Sequence, residues 1–209
     1  MKRAASLCGI ILAAGESTRM GKDKALLPWP PGRASAGQTF LSAAIRAVSD
    51  FNDMVVVVVG KNEDVLGPLI FADGASLVCN PAPERGQFSS LQIGLQKALD
   101  LGRDAVMITL VDRPPANSAT LKALCDVFNS APDEIWAVIP EYGGKHGHPL
   151  LADRSMIEVF LKAPANATAR DIEHQNLEHI QYLSVEDPLV AVNVNTPQDY
   201  EVLVSAFLK

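Results

Sequence analysis

Three cations stand close together near the start of the chain: Arg19, Lys22 and Lys24. They lie in segment 12–28 with Leu12, Ala13, Ala14, Gly15 and Gly21. Small residues let backbone N–H groups come close to phosphate oxygens. Neighbouring cations then offset the charge of a triphosphate. Spacing excludes two well-known phosphate motifs. Walker A needs four residues between its glycines and then Lys-Ser/Thr. Here five residues separate Gly15 from Gly21, and Asp23 follows Lys22. The G-x-G-x-x-G dinucleotide fingerprint is also absent. Composition alone leaves an ordinary turn with solvated basic residues as an equal reading.

Other chemistry-bearing residues recur at the ends of apolar runs. Asp112 follows run 105–111 and precedes Pro114-Pro115, which fix it at a strand edge. Mg²⁺ prefers one or two carboxylates plus phosphate oxygens and waters. A local turn cap is the other local reading of Asp112. Near the end, Asn193, Asn195 and Asp199 frame Thr196-Pro197. An Asn carbonyl ligates Mg²⁺ without adding charge. Thr at the cap, Pro at the first position and an acid three residues on mark a helix start, so Asp199 reads as a cap residue. Ser89 with Gln92 fits a capping box. His146 and His148 form an i, i+2 pair with no third Cys, His or well-placed acid near, and a zinc site is set aside.

The string Leu12-Ala13-Ala14-Gly15-Glu16-Ser17-Thr18-Arg19-Met20-Gly21-Lys22-Asp23-Lys24 resembles the signature of the NTP-transferase family that includes the molybdenum cofactor guanylyl- and cytidylyltransferases. The pattern is Leu-Ala-(Ala/Gly)-Gly-x-Ser-x-Arg-Met-Gly-x-x-Lys, and every fixed position is present. The resemblance implies that Arg19 and Lys24 hold the NTP phosphates, with Lys24 stabilising charge at the α-phosphorus. It implies nucleotide contacts from Leu12, Ala13, Ala14, Gly15 and Gly21. Relatives using CTP tend to have Ala at position 14 and those using GTP tend to have Gly, so Ala14 points to CTP.

The resemblance continues to about residue 200. Asn80-Pro81, Gly86 and Ser89-Ser90-Leu91 match the loop that contacts base and ribose in relatives, which adds Asn80, Gly86, Ser89 and Ser90 to the nucleotide-binding set. Asp112-x-Pro matches the family's metal motif. Arg113 departs from it, because relatives more often carry a neutral residue there. Asn195 falls in the late motif, often Asp-x-Asp-Thr-Pro-x-Asp, and is the expected second ligand. Gly147-His148-Pro149-Leu150-Leu151 resembles the molybdopterin-specific branch, so Lys145, His148 and Pro149 are expected on the acceptor side. The implied reaction transfers CMP from CTP, or a nucleotidyl group from another NTP, to a molybdopterin-type acceptor. Mg²⁺ is the implied metal, with Mn²⁺ as an alternative, and a molybdenum hydroxylase is the implied recipient of the product. A sugar or polyol phosphate acceptor is the first rival reading. A non-catalytic carrier of nucleotide or cofactor is the second, favoured only by the two Asn residues.

These residues need a scaffold that gathers strand ends. Run 54–59 is apolar on both faces, as strands of a helix-covered parallel sheet are. Strands are also expected at 7–14, 76–79, 105–111, 135–139 and 178–183. Helices are expected at 39–49, 65–71, 90–101, 120–129, 156–161 and 169–175, with a last helix from Thr196. Segment 141–148 reads as a glycine-rich loop and 190–194 as another apolar stretch. This alternation predicts an α/β three-layer sandwich with a mainly parallel, Rossmann-like sheet of the nucleotide-diphospho-sugar transferase type. With no linker or repeat, 1–209 is expected to be one domain.

Composition agrees with an enzyme of soluble type. Hydrophobic residues make up 48% of the 209, enough for a full core. The net charge of −6 comes without a basic stripe, which argues against nucleic-acid binding. Cys8, Cys79 and Cys125 are scattered and odd in number, which suits reduced thiols in the cytoplasm. No run reaches the roughly 18 apolar residues of a membrane span.

Overall fold

Five consecutive valines, Val55–Val59, can only be satisfied in a strand buried on both faces. In the computed structural model, which describes residues 6–30, 38–164 and 166–207, they lie in β2, Met54–Val59. β2 pairs in parallel with β1, Leu7–Leu12, and with β3, Ser76–Cys79. On its other edge β1 pairs in parallel with β4, Ala105–Leu110, with Leu12 opposite Leu110. Helices α1, Phe40–Ser49, and α2, Glu63–Ala72, lead into β2 and β3, and α3, Gln87–Asp100, leads into β4.

Beyond β4 the order becomes mixed. After α4, Ser118–Ser130, come β5, Ala137–Tyr142, β6, Lys145–His146, and β7, Leu150–Asp153. β7 runs antiparallel between β4 and β5. Two further helices, α5, Arg154–Lys162, and α6, Ala169–Gln175, lead to β8, Ile180–Ser184, which pairs in parallel with β5. All eight described strands join one sheet, and α7, Pro197–Phe207, follows them. The mainly parallel α/β expectation is met.

Alternation along β1 divides the core. Leu7 and Ile11 pack with Leu41, Ile45, Leu66 and Leu124 of α1, α2 and α4. Cys8, Ile10 and Leu12 pack with Leu91, Leu95, Met156 and Phe160 of α3 and α5. The period of two that puts successive side chains on opposite faces thus fills both sides of the sheet. A third cluster of Met20, Leu27, Phe40, Val194 and Leu203 holds the first loop against α1 and α7.

Three expectations need correction. Segment 141–148 is a hairpin, not a loop: β5 pairs antiparallel with β6 around Gly143 and Gly144. Both glycines have positive φ, 56° and 75°, as a tight hairpin turn of this kind requires. Residues Pro188–Ala191 form a 3-10 turn, which the apolar content of 190–194 did not announce. α3 begins at Gln87, so Ser89 lies inside the helix, and the expected Ser89–Gln92 capping box is absent.

Candidate active site

The sheet order reverses beside β1, since β2 and β3 extend it one way and β4 the other. Such a switch point opens a crevice at the C-terminal ends of the strands. The loops after β1 and β4 both start there, and Val111 N–H donates to Leu12 O at 3.0 Å.

The loop after β1 is braced throughout its length. Ser17 adopts a left-handed conformation, and its Oγ accepts from Lys24 N–H at 3.1 Å. Asp23 caps the 3-10 turn Lys24–Leu26 by accepting from Ala25 N–H at 3.0 Å. Asn62, in the turn after β2, donates to Ala13 O at 3.0 Å and to Asp23 Oδ2 at 2.8 Å. It also accepts from Gly60 N–H at 3.1 Å. Sequence reasoning missed Asn62, because an Asn in a turn carries no signal of a partner 39 residues away.

This bracing aims Lys24 inward. The side chain is nearly buried, and Nζ lies 3.0 Å from Asp112 Oδ2 and 2.9 Å from Asn195 Oδ1. Three residues singled out in the sequence, from three distant segments, therefore meet at one point. Asp112 comes from the end of β4. Asn195 is held by its neighbours: Val194 N–H donates to Asp112 O at 2.9 Å, and Asp199 Oδ2 accepts from Asn195 and Thr196 N–H at 2.9 and 2.8 Å. Those backbone donors hold the Asp199 carboxyl below its ordinary pKa, so Asp199 is the helix cap.

The donor set fits a hard divalent cation. Asp112 Oδ1 is buried with no hydrogen-bond partner among the described residues. Its other oxygen and the Asn195 carbonyl both face the position that the Lys24 ammonium holds. One carboxylate and one amide oxygen leave most of an octahedral shell to phosphate oxygens and water, as Mg²⁺ and Mn²⁺ prefer.

A cavity of about 250 Å³ lies over this triad, lined by Leu12, Ala14, Gly15, Ser17, Lys24 and Asp112, with Gly86 and Ser90 opposite. Ser90 is oriented by Asn80, whose Nδ2 donates to Ser89 Oγ and Ser90 Oγ at 2.9 Å each. Asn80 and Ser89 are buried and line neither this cavity nor the one beside it; they build the turn behind the wall. Ala13 is buried in the core, and only its carbonyl serves the loop. Arg19 and Gly21 lie exposed on the loop and line neither this cavity nor the one beside it.

The second cleft, of about 930 Å³, shares Leu12, Gly86, Gln87 and Leu110 with the first. Lys145 and His148 line it, while Pro149 is buried behind them. Gly147 is required by close approach: a Cβ there would fall 2.4 Å from Val190 O. That contact lets His148 N–H donate to Val190 O at 3.0 Å. The ring Nδ1 of His148 faces Ile108 O at 3.4 Å. Burial, and the nearby Arg113 cation, push the imidazole down to about 4, so it is neutral near pH 7. His146 instead stacks on Tyr182 with ring centroids 3.9 Å apart. Arg85, Arg113, Arg170 and Glu173 also line the cleft. Burial raises the Glu173 carboxyl to about 7. Its helix was legible in the sequence, but no pattern said that its acid would border a cleft.

Fold and site together define an enzyme that handles a nucleoside triphosphate at a parallel-sheet switch point. The sequence profile of the MobA-like NTP transferase domain matches residues 9–180. The chain belongs to this family of nucleotidyltransferases. It is 22% identical over 196 residues to the molybdenum cofactor cytidylyltransferase of Escherichia coli K12, covering 91% of this chain and 92% of that one. It is 25% identical over 200 residues to a probable molybdenum cofactor guanylyltransferase of Mycobacterium avium, covering 96% of each. The crystal structure of Rv0371c from Mycobacterium tuberculosis superposes with a TM-score of 0.79 at 24% identity, covering 95% of this chain and 98% of that one. A manganese complex of Rv0371C gives a TM-score of 0.74 at 22% identity, covering 96% and 99%.

Proposed function

We propose that the protein transfers CMP from CTP to a phosphate-bearing, molybdopterin-type acceptor and releases pyrophosphate. The observation that carries this reading is the convergence of Lys24, Asp112 and Asn195 under a small cavity that adjoins a larger one. Two joined cavities suit a two-substrate transfer. An acceptor phosphate oxygen attacks the α-phosphorus, the bond from that phosphorus to the bridging oxygen breaks, and pyrophosphate leaves with the electron pair. No covalent enzyme intermediate is needed, so positioning and charge carry the rate.

The chain's own groups divide that task. Gly15 and Ser17 border the space for the phosphates, and Arg19, exposed on the outer part of the loop, would have to swing inward to meet them. Lys24 leaves Asp112 and Asn195 for the α-phosphate, where its charge offsets the extra negative charge of the transition state. Asp112 and Asn195 would hold a divalent cation, Mg²⁺ or Mn²⁺, which would supply charge neutralisation and orientation of the triphosphate. Ala14 lines the small cavity, and its methyl group takes room that a purine needs more than a pyrimidine. Lys145 and His148 receive the acceptor in the large cleft, with Pro149 shaping the turn that carries them. The reduced thiols and the substrate both suit the cytoplasm, and a molybdenum hydroxylase is the recipient we expect for the product.

Pyrophosphate release from CTP, GTP, ATP and UTP, with Mg²⁺ and Mo-molybdopterin, tests the reading. Release with CTP alone is expected. Release with GTP instead would overturn the base assignment and keep the reaction. Binding of nucleotide with no release from any of the four would sink the acceptor assignment or make the protein a carrier.

A further inference from the structure

Arg113 is the residue by which the chain departs from the metal motif around it. Its neighbour Asp112 lines the small cavity, whereas Arg113 lines the large cleft. Its only side-chain hydrogen bond among the described residues is a long one, from Nη1 to Val192 O at 3.4 Å. Nε is buried with no partner, and no described carboxylate lies within salt-bridge reach. A guanidinium presents five donors in a planar fork. Leaving buried donors unmatched is unfavourable, and the usual remedy is a partner.

The surroundings specify that partner. Arg85, Lys145 and Arg170 line the same cleft, against a single described carboxylate, Glu173. His148, beside Arg113, is neutral near pH 7 and adds no charge. The missing ligand is therefore an anion, and a guanidinium fork matches two oxygens of a phosphate. Arg113 is absent from the lining of the cavity that holds Gly15, Ser17 and Lys24, so the phosphates of the nucleotide are held elsewhere. Leu12 and Leu110 border both spaces, which puts the seam between them beside the end of β4.

We infer that Arg113 seats the phosphate monoester of the acceptor and fixes the attacking oxygen toward the α-phosphorus. The inference rests on the nucleotidyl-transfer reading above. It makes this enzyme selective for acceptors with a phosphate at the reacting end.

Inorganic phosphate is the probe. The full chain is saturated with the non-hydrolysable analogue α,β-methylene-CTP and Mg²⁺, and phosphate is titrated in by calorimetry over the millimolar range. The wild type should bind phosphate while the analogue stays bound. Arg113→Met should weaken phosphate at least tenfold and leave affinity for the analogue within about twofold. Arg113→Lys should recover part of the loss, because it keeps the charge without the fork. Equal phosphate binding by Arg113→Met and wild type would overturn the inference. So would absence of phosphate binding in the wild type. Displacement of phosphate by the analogue would show that the anion on Arg113 is the nucleotide's own and would also overturn it. If Arg113→Met does not fold, Arg113→Gln and Arg113→Lys carry the comparison. Failure of the wild type to bind the analogue at all would instead strike the nucleotidyl-transfer reading.

Discussion

At the scale of single residues, the Lys24 ammonium holds the place between Asp112 and Asn195 that the proposed divalent cation would take. Its ammonium bridges the two side-chain oxygens, so ammonium and metal ion would need the same donors. The nucleotide-free enzyme should therefore bind Mn²⁺ weakly, and Lys24→Ala should bind it at least tenfold more tightly, as read by the free-Mn²⁺ electron paramagnetic resonance signal. Equal Mn²⁺ affinity in both proteins would refute this competition. The same substitution should lower turnover at least a hundredfold, since one well-placed transition-state donor is worth about 2.7–4 kcal/mol. Asp112→Ala should do likewise, and near-normal turnover would remove either residue from the mechanism. Lys24, Asp112 and Asn195 were legible because each sits in a short string with fixed spacing. Asn62, Arg85 and Glu173 were not, because only tertiary packing brings them to the site.

At the scale of elements, the first loop keeps its shape through groups outside it. Asn62 makes three hydrogen bonds, to Gly60, Ala13 and Asp23, that tie this loop to the turn after β2. Asn62→Ala should destabilise the fold by roughly 1–3 kcal/mol, the range for stranding part-buried polar partners. It should also weaken nucleotide binding more than it lowers turnover at saturating substrate. Urea unfolding and a separate measurement of KM and kcat decide this, and an unchanged KM would show that the loop needs no such brace. β2, β3 and α6 have the bounds expected from the sequence: β2 and β3 from short apolar runs, and α6 although Ile172 is its only buried residue. The β5–β6 hairpin was hidden because its Gly-Gly turn sits among polar residues that look like loop. The start of α3 was hidden because Ser89, which resembles a cap, spends its hydroxyl on Gly86 O, 2.7 Å away inside the helix.

At the scale of the whole molecule, two half-buried titratable groups line the larger cleft beside the sheet reversal. His148 lies against β4, with its pKa lowered from 6.5 to about 4 by burial and then by Arg113. Glu173, on α6, has its pKa raised from 4.5 to about 7 by burial, which Arg170 opposes. Their linkages have opposite signs. The unfolded chain protonates His148 first as pH falls, so its share of stability is intact above 6.5 and declines toward 4. The unfolded chain ionises Glu173 first as pH rises, so its share is intact below 4.5 and declines toward 7. Between pH 4.5 and 6.5 the two slopes, each near 1.4 kcal/mol per pH unit at most, largely cancel. Glu173→Gln should expose the His148 term, giving a stability that climbs with pH across this window. His148→Gln should expose the Glu173 term, giving a stability that falls. Urea midpoints of the three proteins at several pH values test this. Parallel profiles for all three would mean that neither group is buried as the fold places it. Neither slope was legible in the sequence, where a lone His in a Gly-His-Pro turn and a lone Glu on a short helix look equally exposed. Both arise only when the antiparallel β7 and the late helix α6 close around the larger cleft.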